Sequence, residues 1–213
     1  MQIAIIGVTG YAGGHIADEA LTRGHGVIGV SRTPPQMSPP GLQFRTGSIE
    51  DRALLEQLFA EADAVIVAVR SAVDGKPFLV HRVAELLELA AEHNTRLGFV
   101  GGGASLSAYA GGPRLLDAAH RTEHPSREPS SQALVLDALR AADTGADWFY
   151  LSPPAGFGAD SPGERTGRYR IGRDVMLVGA DGKATIGGAD FAIALVDELD
   201  LPTHHQMRFT VGY

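Results

Sequence analysis

Short apolar runs alternate along this chain with stretches in which apolar residues recur every three or four positions. The runs fall at 3–6, 27–30, 42–45, 64–69, 97–100, 148–151 and 207–211. Their Val, Ile and Ala content predicts strands covered on both faces. In "FLVHRVAELLELAAEH", Leu79, Val83, Leu86, Leu87 and Ala90 share one helical face. "SIEDRALLEQLFAEAD" opens on Ser48 and Asp51, a helix-start pattern, and continues with Leu54, Leu55, Leu58 and Phe59. Further helices are predicted over "SSQALVLDALRAAD" and "DFAIALVDELD". The alternation predicts an α/β fold: a doubly wound parallel sheet of about seven strands with helices on both faces. At 213 residues the chain is sized for one domain.

Two segments break the rhythm. Residues 101–130 hold five glycines and three prolines without clear periodicity, and 153–188 is also irregular. Loops at strand ends carry specificity in such folds, so these two segments are expected to form the substrate region, with Tyr109, Arg114 and His120 in a lid.

The residues at 7–14, "GVTGYAGG", follow the first strand and open a helix expected over 15–23, closed by Gly24. This is the context a dinucleotide site requires. Gly7 permits a sharp turn, Gly10 lets backbone approach a pyrophosphate, and Gly13 lets the helix pack close to the strand. Phosphates then meet unpaired amides at the helix N-terminus. The second strand ends in "VSRT", with Ser31, Arg32 and Thr33 and no carboxylate. A carboxylate there holds the ribose hydroxyls of NAD, whereas Arg accommodates a 2′-phosphate, so NADPH is expected in preference to NADH.

Composition narrows the partners. A net charge of −7 argues against a nucleic-acid surface. The absence of cysteine excludes disulfides and thiolate metal sites and fits a reducing cytoplasm. The first apolar run has no basic leader and breaks at Gly7, and no run approaches the roughly 18 apolar residues that span a bilayer. The expectation is a cytoplasmic protein whose partner is a small-molecule acceptor, with neither nucleic acid nor membrane. His120, Glu123 and His124 have ligand-like spacing, but Pro125 and Pro129 argue against a long helix there, and no metal is expected. His204 and His205 read as solvated, as does His15. Arg165, Arg168, Arg170 and Arg173 read as an exposed hairpin.

"GVTGYAGG" with "SRT" resembles the atypical short-chain dehydrogenase/reductase superfamily, in its NmrA-like, NAD(P)H-binding branch, many of whose members are described as NADH-flavin reductase-like or epimerase-like. "FVGGGASL", "WFYLSPPAGF", "PGERTGRYRIGRD" and "GADFAIALVDELD" extend the resemblance over nearly the whole chain. It implies one Rossmann-like domain, 1–213, binding NADP across the C-terminal ends of its strands. Carried over by position, Gly7, Thr9, Gly10, Tyr11 and Ala12 would line the pyrophosphate and Arg32 the 2′-phosphate. Ser48 and Ile49 stand where the family places an Asp and an apolar residue beside adenine, and the Asp is absent. Ala68, Val69 and Arg70 would flank the ribose, and Pro153 would lie near the nicotinamide. Ser105 stands where the main branch keeps an active-site Ser and is the one catalytic candidate.

The main branch pairs Tyr with Lys four residues later, the Lys lowering the Tyr pKa for proton transfer. Here the two lysines, Lys76 and Lys183, are preceded at that spacing by Ala72 and Gly179, and "SSQALVLDALRAAD" carries neither Tyr nor Lys. Two functions remain. One is reduction of a flavin, quinone or similar conjugated acceptor, which draws its proton from solvent. The other is cofactor sensing without turnover.

Overall fold

A computed structural model describes residues 1–35, 37–119 and 127–213. The chain opens with β1 (Gln2–Ile6), α1 (Tyr11–Thr22), β2 (Gly26–Ser31), β3 (Leu42–Thr46), α2 (Arg52–Glu61) and β4 (Ala64–Val67). A small hairpin of β5 (Ala72–Val73) and β6 (Lys76–Pro77) leads to α3 (Val83–His93) and β7 (Arg96–Val100). Then come α4 (Leu115–Ala119), α5 (Arg127–Ala141), β8 (Trp148–Ser152), β9 (Arg170–Gly172), α6 (Gly188–Asp200) and β10 (Met207–Gly212).

Eight strands form one sheet in the order β3-β2-β1-β4-β7-β8-β10-β9. All neighbours are parallel except β9, which runs antiparallel on β10. Each face has its own core. Leu55, Leu58 and Phe59 of α2, Leu86 and Ala90 of α3, and Val135 and Leu139 of α5 cover one. Ile16, Ala17 and Ala20 of α1 meet Phe191, Leu195 and Leu199 of α6 on the other. Each fully buried aliphatic or aromatic side chain contributes about 1.5–3 kcal/mol, and β1, β4 and β8 supply both layers because they are buried on both faces.

The sheet has one more strand than expected. β9 is three residues long with Ile171 55% exposed, so it has neither the length nor the apolar content that marks a strand in sequence. The first helix begins at Tyr11, not at position 15, because extended Gly10 is its N-cap, and the low helix propensity of Gly13 and Gly14 masks that first turn. The run at 64–69 leaves the ladder after Val67, and α5 starts three residues ahead of the expected segment. Asp51 does cap α2, its carboxylate accepting from the Leu54 amide at 3.2 Å.

Buried carboxylates, Glu198 and Asp190 among them, anchor the chain around α6. Glu198, at the N-terminal edge of the sheet, pairs with Arg96 at 2.5 Å and with the ring of His204 at 2.6 Å, and accepts from Thr203. Burial alone would raise its pKa, but the hydrogen bonds from His204, Arg96 and Thr203 outweigh burial and hold it at about 2. His204 is thus packed, stacking on Phe209 at 4.0 Å, whereas His205 is exposed. The expectation of a solvated His204 fails because Glu198 lies six residues away across a turn that spacing does not reveal. Asp190 at the start of α6 accepts from the amides of Thr166 and Gly167 and from the Tyr213 hydroxyl. Those bonds outweigh burial and lower its pKa. They fix the chain ahead of β9, where Arg165 pairs with buried Glu19 at 2.7 Å while Arg168 and Arg173 are exposed.

Candidate functional site

In a parallel sheet the C-terminal ends of β1, β2, β4, β7 and β8 share one edge, and ligands of such folds bind there. The candidate cofactor-binding residues and Ser105 lie at or follow the C-terminal ends of these parallel strands and of β3. β1 hands over to Gly7, whose φ of +96° is a conformation that suits glycine. A Cβ on Gly7 would come 2.4 Å from the Ala68 carbonyl, and one on Gly13 would come 2.2 Å from the Gly7 carbonyl. The two glycines thus let β1, the turn and α1 nest against the end of β4. The turn is pinned by the Gly7 amide donating to Val30 O at 2.8 Å and the Gly10 amide to Gly7 O at 3.0 Å.

Gly10 supplies no side-chain cap, and the first turn of α1 holds no acidic residue. The amides of Tyr11, Ala12 and Gly13 therefore have no helical acceptor, and the positive end of the helix dipole is not offset by a carboxylate. Thr9 and Gly10 are exposed. Uncapped donors, an open turn and close-packed glycines fit a phosphate diester. The Tyr11 side chain turns elsewhere: its hydroxyl donates to Pro162 O and accepts from the Gly188 amide, both at 2.8 Å. Its ring meets His15 edge-on at 4.9 Å, so His15 is packed against it and half-buried.

At the end of β2, the Ser31 hydroxyl donates to Thr33 O at 2.5 Å. Arg32 and Arg70 are exposed and form no ion pair among the described residues. The Ser48 hydroxyl accepts from the Glu50 amide at 3.3 Å, and the Gly47 amide donates to Ser31 O, which joins this turn to the end of β2. Ile49 is buried in the α2-side core. Ala68 and Val69 are half-buried beside Gly7, and Pro153 is buried just past β8, its carbonyl against Gly103.

Ser105 is 4% exposed. Its hydroxyl donates to Gly102 O at 3.4 Å and accepts from Arg208 Nη1 at 3.3 Å. It belongs to a buried polar network at the edge and does not stand open as a lone donor. Nearby, the Tyr150 hydroxyl accepts from the Gly102 amide and donates to Gln132 O. Tyr169, with Arg173 four residues on, lies on the α6 side, its hydroxyl donating to Asp197. Burial and that carboxylate push its pKa well above the usual value, which keeps it neutral.

In the expected lid, Tyr109 is 63% exposed and Arg114 pairs with Asp117 and Asp137. His120, Glu123, His124 and Pro125 lie outside the described residues. No group of His, Asp and Glu among the described residues is arranged to hold a metal, and no described helix is long and apolar enough to cross a membrane.

Sequence reasoning missed Arg208, Asp174 and Ser152. The one signal was a charge at Arg208 inside an otherwise apolar strand, "MRFTVG". Asp174 Oδ1 accepts from both Arg208 and Arg140. Burial would raise its pKa, but the two guanidinium groups overcome this and lower it.

Comparison with known proteins agrees with this geometry. Residues 7–200 match a family described as NAD(P)H-binding. The YwnB protein of Bacillus subtilis is 36% identical over 221 residues, covering 99% of this chain and 98% of its own length. A candidate NADH-flavin reductase from Streptococcus pneumoniae is 29% identical with a TM-score of 0.83, covering 100% of this chain and 99% of its own. A candidate epimerase from Bacteroides thetaiotaomicron is 32% identical with a TM-score of 0.84, covering 100% and 96%. The chain thus belongs to the NAD(P)H-binding family, in keeping with its resemblance to the atypical, NmrA-like short-chain dehydrogenase/reductases.

Proposed function

We propose that this protein is an NADPH-dependent oxidoreductase whose acceptor is a flavin, a quinone or a similar conjugated molecule. The observation that carries the reading is the uncapped start of α1 beneath an open glycine turn, set one strand away from unpaired Arg32. The open glycine turn and the unpaired amides of Tyr11, Ala12 and Gly13 would hold the pyrophosphate, with Ser31 and Arg32 taking the 2′-phosphate through charge and a planar donor fork. Ala68, Val69 and Arg70 would line the ribose, Ser48 and Ile49 the adenine, and Pro153 the nicotinamide. When bound, the cofactor supplies a hydride.

The acceptor class follows from what the chain lacks. No Tyr–Lys pair stands at the required spacing, and α5 carries neither residue. An acceptor with an extended conjugated system needs little acid from the protein, so the residues here have only to bind, orient and exclude water. The likeness to a candidate NADH-flavin reductase supports that class. Ser105 serves the site from within its buried network, and Ser105→Ala should slow acceptor reduction. The test is NADPH consumption with a panel of flavins and quinones, alongside calorimetry of NADPH binding. Turnover on a conjugated acceptor supports the reading. Tight binding without turnover on any of them would make the protein a cofactor sensor.

A further inference from the structure

Among the described residues the fold buries two arginines, Arg96 and Arg208, whose side chains meet opposite edges of the sheet. Arg96 at the N-terminal edge is answered by buried Glu198. Arg208 at the other edge is different: its side chain is 2% exposed, while its one carboxylate partner, Asp174, is 58% exposed and is shared with Arg140. Enclosing a guanidinium costs several kcal/mol unless its donors are well met, and an apolar side chain of similar volume would avoid that cost. The reason for the charge lies in what the planar fork joins.

One side of the fork, Nε and Nη2, donates to Asp174 Oδ1, the former at 3.0 Å. The other side, Nη1, donates to Ser105 Oγ beyond β7 and Ser152 Oγ at the end of β8, each at 3.3 Å. Backbone bonds extend the join. The Ser107 amide donates to Asp174 O at 2.8 Å, and the Met176 amide donates to Ser107 O at 2.9 Å. Ser107 also bridges Arg114, and the Leu115 amide donates to Leu106 O. One side chain thus ties the segment after β7, the end of β8 and the segment after β9 into a single body. The first and last of these belong to the two irregular stretches expected from the sequence to form the substrate region.

We propose that Arg208 is a positioning residue: with Asp174 it clamps the 103–107 and 174–176 segments together as the two walls of the acceptor site, and the spacing of those walls sets acceptor affinity. The proposal rests on the oxidoreductase reading above. A planar, bidentate donor suits the task because lysine offers one point charge and cannot reach a carboxylate and two hydroxyls at once. The clamp is remote from the glycine turn, so it bears on the acceptor and not on the pyrophosphate that anchors the cofactor.

The test compares wild type with Asp174→Asn, Asp174→Glu and Arg208→Lys. Asp174→Asn keeps an Oδ1 acceptor for Arg208 and Asp174→Glu keeps its charge, and protection of the β1 amides reports whether each variant is folded. Three quantities are read: amide exchange at Ser107 and Met176 without ligand, the NADPH Kd by calorimetry, and the KM for FMN and for a soluble benzoquinone. In Asp174→Asn, exchange at both amides should quicken about tenfold while the strand amides of β1 stay protected. The KM for the acceptor should rise about tenfold with the NADPH Kd unchanged, and Asp174→Glu should recover part of the loss. Unchanged exchange, or a KM and a Kd that move together, overturns the proposal. If wild type reduces neither acceptor, the oxidoreductase reading falls and the acceptor role of Arg208 falls with it. Failure of the clamp alone shows instead as full wild-type turnover with variants indistinguishable from it.

Discussion

The phenol of Tyr11 accepts a hydrogen bond from the amide of Gly188 at 2.8 Å, joining the first turn of α1 to the first turn of α6. The same hydroxyl donates to Pro162 O. A residue of the glycine turn therefore contributes its amide to one task and its ring to another. Tyr11→Phe should lower stability by about 1–3 kcal/mol through the orphaned partners. Because the amide is untouched, NADPH affinity should change by less than about threefold. Chemical denaturation and calorimetry on the same variant separate the two effects.

The close approach at Gly13 gives a sharper contrast. Gly13→Ala would drive a Cβ to 2.2 Å from the Gly7 carbonyl, so the turn and helix must move apart. We expect a loss of about 1–3 kcal/mol in stability and at least about tenfold in NADPH affinity. Gly24→Ala is the control: its φ of +82° strains any side chain by about 1–2 kcal/mol, but nothing lies within 4 Å. It should destabilise the fold and leave cofactor affinity as it was.

Acid stability should depend on Glu198. Its carboxyl is held at about 2 when folded, below an ordinary value of 4.5. A depressed folded pKa stabilises the native state above the unfolded pKa, and this is lost as pH falls from about 4.5 towards 2. The contribution is at most about 3 kcal/mol at neutral pH. Asp190, also depressed, adds to the same acid limb. In Glu198→Gln, stability should fall at pH 7, and the slope of stability against pH below 4.5 should flatten. An unchanged slope in thermal melts would assign the acid sensitivity to other groups.

Arg32→Glu tests the choice of cofactor. It replaces an exposed, unpaired cation at the end of β2 with the residue type that holds ribose hydroxyls. NADPH affinity should fall by about 1.5–3 kcal/mol, the worth of a charged hydrogen bond, while NADH affinity holds or improves. Equal losses for both cofactors would remove Arg32 from the site.

The fold and the position of the candidate cofactor turn at the end of β1 were legible because both are written locally. Continuous Val and Ile runs, a glycine turn after the first, and Arg32 after the second each lie within a few residues of the element they signal. β9 was not legible, since three partly exposed residues gain strand geometry only from β10 beside them. The Arg208 clamp draws on positions 105, 152, 174 and 208, which chain spacing cannot connect. The burial of Ser105 in this network was hidden for the same reason: the arginine that donates to its hydroxyl is 103 residues away. The burial of His204 followed from a turn whose geometry depends on Glu198.

The proposal that this chain binds NADPH at its glycine turn and oxidises it without a Tyr–Lys pair can be tested in one mixing experiment. The most direct measurement mixes the preformed protein–NADPH complex with FMN or a soluble quinone under anaerobic conditions and follows both partners. Loss of NADPH matched mole for mole by reduced acceptor, faster than in protein-free solution, is expected. Bound NADPH that stays reduced in the presence of every acceptor would contradict it.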